Sequence, residues 1–351
     1  MWSPASERLA GSGVSPTQVL ASGVGSWPGE AVLETARATF GLLADDIPYL
    51  VELPDRGPGA DLVGRGAVLL EGLPVDLQPS GWRLVDHPGR DLGRAQSFLH
   101  HDLDVLAEVA DGYTGPLKLA VAGPWTLAVS LSLVRLERAV VDPGACRDIV
   151  SSLADGLAQH VAHVARLVPG ADLTVQLDEP GLVAALQGSV PTASGLGRLR
   201  AVDEQVAVEG LRAVLDGARA GGAVRTVVHC CAAGAPVALL GRTGVDALGL
   251  DVSLLDTAGW EAVATEVEAG RRLWAGVVPT TGAMPSATAA ADAVFVPWRT
   301  LGMPAEQLLG QVLTPACGLA GGRRGGGSPA DARARLVRTC EAARELSERA
   351  G

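Results

Sequence analysis

The sequence predicts a single-domain α/β protein folded as a (β/α)8 TIM barrel, and three observations predict it. Eight short β-prone runs follow one another along the chain, mostly separated by stretches long enough for a helix. The runs are nearly continuous in apolar residues, as strands are when a parallel sheet is covered on both faces. Polar and metal-capable residues gather at the C-terminal ends of these runs, where barrels of this kind carry their sites.

The strands are expected over 20–25, 47–52, 117–122, 172–178, 224–230, 246–252, 272–279 and 310–316. A helix over 91–111 is predicted by Leu99, Leu103, Leu106 and Val109 at helical spacing, and a longer one over 143–167 by the stripe Leu153, Leu157, His160, Val161 and Val164. The last helix, 328–349, opens on Ser328-Pro329, a good N-cap followed by proline in the first turn. Two segments break the rhythm. Residues 53–90 form a long excursion with a turn around Pro79-Ser80-Gly81, and 321–327, rich in glycine, reads as a loop. Residues 1–18 are assigned to an N-terminal extension and 19–351 to the barrel. A doubly wound sheet would need a phosphate-binding glycine turn after its first strand, and Gly23-Val-Gly25-Ser-Trp-Pro28 does not supply one.

At 351 residues and 48% hydrophobic content the chain can bury a large core. The formal charge of −11, from 28 basic and 39 acidic residues, argues against a nucleic-acid surface. Lys118 is the sole lysine. No stretch approaches the roughly 18 apolar residues of a membrane span, and the N-terminus has no basic region followed by an apolar one. A cytoplasmic location is expected. Five cysteines, an odd number in a long chain, do not suggest a disulfide framework.

The chemistry centres on Val-Val-His229-Cys230-Cys231 and Thr314-Pro-Ala-Cys317. In a strand, residues two apart share a face, so His229 and Cys231 point one way and Cys230 the other. An imidazole and two thiolates make an incomplete tetrahedral zinc site, and Asp251 on the neighbouring strand is the natural fourth donor. The competing reading is a buried strand with small apolar cysteines, and for Asp251 a capping carboxylate. Asp178-Glu179-Pro180 brings two carboxylates to the mouth, suited to binding an ammonium group or to acid–base work. Ser26 could hydrogen-bond a carboxylate. Glu52 and Asp55 end the second strand. His87, His100, His101, His160 and His163 lack ligand spacing and read as surface or helix-packing residues, and Cys146 and Cys340 as structural.

Gly25-Ser26-Trp27-Pro28, Asp178-Glu179-Pro180, His229-x-Cys231 and Thr314-Pro-Ala-Cys317-Gly-Leu, in that order, resemble the catalytic domain of the cobalamin-independent methionine synthase family over about residues 20–320. The resemblance implies a (β/α)8 barrel and a zinc ion that activates homocysteine for methylation to methionine. By the same resemblance His229, Cys231 and Cys317 are zinc ligands. Asp251 stands where the family has a glutamate, one methylene longer. Asp178 matches the carboxylate that holds the substrate's amino group, Ser26 the residue near its carboxylate, and Glu52 a second carboxylate at the amino group. The long plant and bacterial enzymes have a second barrel-like half. They also carry a folate-contacting tryptophan after a Gly-Pro-x-Thr motif; here Gly123-Pro124-Trp125-Thr126 is followed by Leu-Ala-Val-Ser, so that residue is lost or has moved to Trp125. The methyl donor is therefore expected to be methyltetrahydrofolate or a corrinoid carrier. A methyltransferase for another thiol and a non-catalytic zinc- or methionine-binding relative are the alternatives.

Overall fold

The computed structural model describes residues 17–134, 137–321 and 327–351. In chain order the strands are β1 (Leu20–Ala21), β2 (Val75–Gln78), β3 (Gly81–Leu84), β4 (Gly115–Ala122), β5 (Ala171–Asp178), β6 (Arg225–Cys230), β7 (Ala247–Asp251), β8 (Arg272–Val278) and β9 (Val312–Pro315). Seven of them form one parallel sheet in the order β1-β9-β8-β7-β6-β5-β4. Helices connect successive strands, so the strands are buried on both faces, and the near-continuous apolar runs follow from that.

The expected second strand differs. Residues 47–52 lie between β1 and β4, but as isolated parallel bridges (Ser22 to Ile47, Ser26 to Glu52, Tyr49 to Lys118). The main-chain bonds run from Ile47 N to Ala21 O at 3.0 Å and from Leu50 N to Lys118 O at 2.9 Å. Pro48 has no N–H to give, so a regular ladder cannot propagate through it. The excursion at 53–90 is ordered. It holds a short helix, Leu62–Val68, and the antiparallel hairpin β2–β3, whose turn falls at Pro79-Ser80 with Gly81 at φ 111°. The hairpin is an addition to the expected elements. The N-terminal extension and the 321–327 loop fall largely outside the described residues.

The helices follow their sequence signals. Pro143–Leu167 starts on Asp142, whose carboxylate accepts from the N–H groups of Gly144 and Ala145, with proline in the first turn. Its face Ile149, Leu153, Leu157, Val161 and Val164 is fully buried, and each such side chain contributes about 1.5–3 kcal/mol of transfer free energy. His160 packs in the same helix, while His87, His100, His101 and His163 are exposed. Cys146 and Cys340 are buried within helices. Ser328 caps the last helix, Pro329–Ala350, accepting from Asp331 N. Among the described residues no helix is long and apolar enough to cross a membrane.

The end of β1 is pinned by Asp46, which accepts the Ala21 N–H at 2.8 Å. Burial raises the Asp46 pKa from 3.8 to about 6. The folded state thus holds this proton to higher pH than the unfolded chain does. Its stabilisation is complete below about pH 4 and is lost as pH rises through about 6. Asp46→Asn keeps an acceptor and cannot ionise. It is expected to exceed the wild type in stability above pH 7, by up to about 2 kcal/mol, and to match it near pH 4. Urea unfolding at the two pH values checks this; the same difference at both would rule it out.

Candidate active site at the C-terminal end of the sheet

Strand register decides which side chains meet. β5 pairs with β6 so that Asp178 lies opposite His229 and Gln176 opposite Val227. Because side chains alternate, Thr174, Gln176 and Asp178 share one face of β5, and Val227 and His229 continue that face on β6. Cys230 points to the other side and is buried in the main core. On β7, Gly249 pairs with His229. A Cβ there would lie 3.1 Å from His229 Cβ, so glycine makes room for the imidazole.

A cleft of about 390 Å³ opens on this face, lined by Ser26, Glu52, Asp178, His229 and Cys317, with Asp61 and Thr280 among its other walls. A smaller recess of about 240 Å³ holds Cys231 and Asp251, and Cys317 borders both. The Cys231 and Cys317 sulfurs are 3.3 Å apart. The hydrogen bond between the two thiols lowers the Cys317 pKa and pushes that of Cys231 up. His229 Nδ1 sits 2.7 Å from Asp178 Oδ1. His229 Nε2 is buried and has no hydrogen-bond partner among the described residues. Burial works against protonation of His229, but the hydrogen bond to Asp178 and its charge outweigh it, and the net shift is upward.

Asp251 is placed differently from its neighbours. Its carboxylate accepts from Ser253 N at 3.0 Å and from Ser253 Oγ at 2.6 Å, capping the short turn Val252–Leu254. Among the described residues no set of three or more His, Cys, Asp or Glu side chains is arranged as a closed metal site. The donor chemistry nevertheless fits a thiophilic ion. Two sulfurs close enough to share one proton can both reach an ion at Zn–S bonds of about 2.3 Å, and a buried imidazole nitrogen lacks a partner.

The two adjacent carboxylates separate. Asp178 faces the cleft, whereas Glu179 is turned to the opposite face and fully buried. There it accepts from Trp125 N at 2.9 Å, Thr126 N at 2.7 Å and Thr126 Oγ1 at 2.7 Å, holding the start of the helix Pro124–Ser130. The expected carboxylate pair at the mouth is thus one site carboxylate and one helix cap. Asp55 also serves the main chain, accepting Gly29 N–H at 2.6 Å. Trp125 is buried, donating to Ala207 O at 3.0 Å, and does not line the cleft.

Glu52 is positioned by the excursion. Arg56 and Arg65 both grip the buried Asp102 of the helix Arg90–Val109, and Arg65 Nε lies 3.8 Å from Glu52 Oε1. Burial raises the Glu52 pKa to about 7, with Arg65 pulling down and Asp178 pushing up. Ser26 is held by Leu319 N, which donates to Ser26 O at 2.9 Å. Gly318 lets that segment pass, because a Cβ there would collide with Ser26 Oγ.

The cobalamin-independent synthase catalytic-domain model matches residues 19–344. The chain belongs to that family. Among solved structures, a B12-independent methionine synthase from Shewanella sp. W3-18-1 in complex with selenomethionine aligns over 70% of this chain and 67% of its own, at 15% identity and TM-score 0.48. GH5_18 from Streptomyces cattleya in complex with GlcNAc aligns over 95% and 80%, at 16% identity and TM-score 0.41. The carboxyl transferase domain of Rhizobium etli pyruvate carboxylase with 3-hydroxypyruvate aligns over 93% and 48%, at 14% identity and TM-score 0.36. No curated protein matches the chain.

Within this family domain, sequence reasoning missed Lys118, Gln176 and Arg65. Signals for the first two were present: a lone lysine inside an apolar strand, and a glutamine two residues before Asp178 on the same face. Arg65 gave none, because its partners Asp102 and Glu52 are remote in sequence. Removing the Glu179 cap leaves three buried donors unsatisfied. Glu179→Ala is therefore expected to lose about 3 kcal/mol or more in urea unfolding; a loss below about 1 kcal/mol would show that the cap is dispensable.

Proposed function

We propose that this domain is a zinc-dependent methyltransferase that methylates the thiol of homocysteine to give methionine. The observation that carries the reading is the convergence of Cys317, a buried imidazole nitrogen without a partner among the described residues, Ser26 and two carboxylates on one cleft, with Cys231 in the adjoining recess 3.3 Å from Cys317, in a chain of this family. His229, Cys231 and Cys317 would hold the zinc. Asp251 would be the fourth donor once it releases Ser253, or would remain a cap that leaves a position open to the substrate. Bound there, zinc supplies a Lewis acid that keeps a thiol deprotonated near neutral pH.

The chain's own groups do the rest. Asp178 spends Oδ1 on His229 and Gln176, which leaves Oδ2 for the substrate ammonium. Glu52 supplies a second carboxylate, and the Ser26 hydroxyl a donor for the substrate carboxylate. Fixing both ends of the amino acid aims its sulfur at the methyl carbon. The new S–CH3 bond then forms in line as the carrier–CH3 bond breaks, with the electron pair left on the carrier. Methyltetrahydrofolate and a corrinoid are the two donor classes. With Trp125 buried, the expected folate-stacking tryptophan has no counterpart at this position, which favours testing the corrinoid alongside the folate.

We also read the fold as a closed (β/α)8 barrel in one domain over 19–351, with residues 47–52 as the eighth stave. Their main-chain bonds to both β1 and β4 support this.

The purified protein is expected to hold one zinc per chain. Cys317→Ala should lose it, and Asp251→Ala should weaken it less. With zinc bound, homocysteine should be methylated from one of the two donors in preference to a thiol lacking the ammonium and carboxylate groups. A folded protein that takes up no zinc after reconstitution, or turnover that is indifferent to the amino-acid groups, would overturn the reading.

A further inference from the structure

Lys118 is fully buried in the middle of β4, yet all three of its donors are used. Its ammonium meets Gly23 O at 2.5 Å, Val24 O at 2.5 Å and Gln176 Oε1 at 2.7 Å. The rings of Tyr49 and Trp274 lie 5.2 and 5.8 Å from Nζ. An uncompensated buried ammonium would cost several kcal/mol, so this set of acceptors is needed for the fold itself. It also imposes a direction on everything beyond it.

Burial pulls the Lys118 pKa down to about 7. While charged it only donates, and at any pH the Val24 carbonyl only accepts, so the Gln176 amide turns its oxygen to Lys118 and its nitrogen to Val24. The amide nitrogen is then left to donate, and it does so to Val24 O at 3.0 Å and to Asp178 Oδ1 at 2.8 Å. An ionised carboxylate only accepts, so the 2.7 Å contact between Asp178 Oδ1 and His229 Nδ1 requires the proton on Nδ1. In the neutral imidazole Nε2 is then the atom left with a lone pair, and it is the buried atom without a partner among the described residues.

We infer that Lys118 and Gln176 are positioning residues whose hydrogen-bond polarity, passed through Asp178, fixes His229 as its Nδ1–H tautomer and leaves the Nε2 lone pair for a ligand. The same lysine ties the exit of β1, just before Ser26, to the His229 side of the cleft. The inference takes the use of His229 from the proposed function, but the order of the hydrogen bonds stands without it. Outer groups of this kind typically contribute 10–100-fold to metal affinity.

The test is 15N NMR of the histidine rings in the metal-free full chain, above the pH at which His229 titrates, with its resonances assigned from their loss in His229→Gln. In the wild type Nδ1 is expected protonated and Nε2 unprotonated. In Lys118→Met and Gln176→Met the tautomers are expected to mix while unfolding stays cooperative. Gln176→Met retains both main-chain bonds of Lys118, so it carries the test if Lys118→Met does not fold. Zinc affinity, measured by competition with a chromophoric chelator, is expected to fall about 10–100-fold in Gln176→Met. A wild type protonated at Nε2, or variants with an unchanged tautomer, would overturn the inference. A tautomer that responds in a protein that binds no zinc upholds the relay and removes the zinc reading instead.

Discussion

The register that sets Asp178 beside His229 across β5 and β6 is the constraint on which the cleft depends. A slip of one residue would send Asp178 to the helix side and bring Glu179 into the cleft, because the side-chain period in a strand is two. The same slip would bury Gln176 away from Lys118. Register here is therefore a property of the site as much as of the sheet. It is fixed from below by the apolar layer of Leu20, Ile47, Val227, Ala247, Trp274 and Val312, contributed by separate stretches of chain.

Two neighbouring carboxylates show how position on a strand divides labour. Glu179 is wholly buried and satisfied by three donors from the start of the helix Pro124–Ser130; burial outweighs the lowering effect of those hydrogen bonds, and its pKa is raised to about 7. Asp178, one residue earlier, keeps an oxygen for the cleft. The first joins β5 to the helix that follows β4; the second joins β5 to the chemistry. Both links pass through the end of one strand, so the rigidity of the site and the stability of this layer are coupled.

The excursion after Glu52 provides the other wall. Its short helix carries Arg65, which shares the buried Asp102 with Arg56 and reaches toward Glu52. A buried carboxylate between two guanidiniums is costly to desolvate and strongly directional once formed. It anchors the segment to the helix Arg90–Val109 and so fixes where Glu52 and Leu62 meet the cleft.

Much of this was legible in the sequence. Apolar runs and their spacing give the strands of the seven-stranded parallel sheet, the helices at 143–167 and 328–349, and the gathering of Ser26, Glu52, Asp178, His229 and Cys317 at one end of the sheet, because those signals are local and periodic. Pro48 could be seen to interrupt its strand, but not that flanking bridges would still seat residues 47–52 between β1 and β4. The split of Asp178 from Glu179 follows from strand parity, once the end of β5 is known to the residue. What only the tertiary structure decided are contacts between groups remote in the chain: Arg65 with Asp102 and Glu52, Asp251 turned to Ser253, and Lys118 oriented through Gln176 toward His229. Sequence determines which donors and acceptors a strand offers, while burial dictates that each must find a partner, and only the packed fold determines which partner that is.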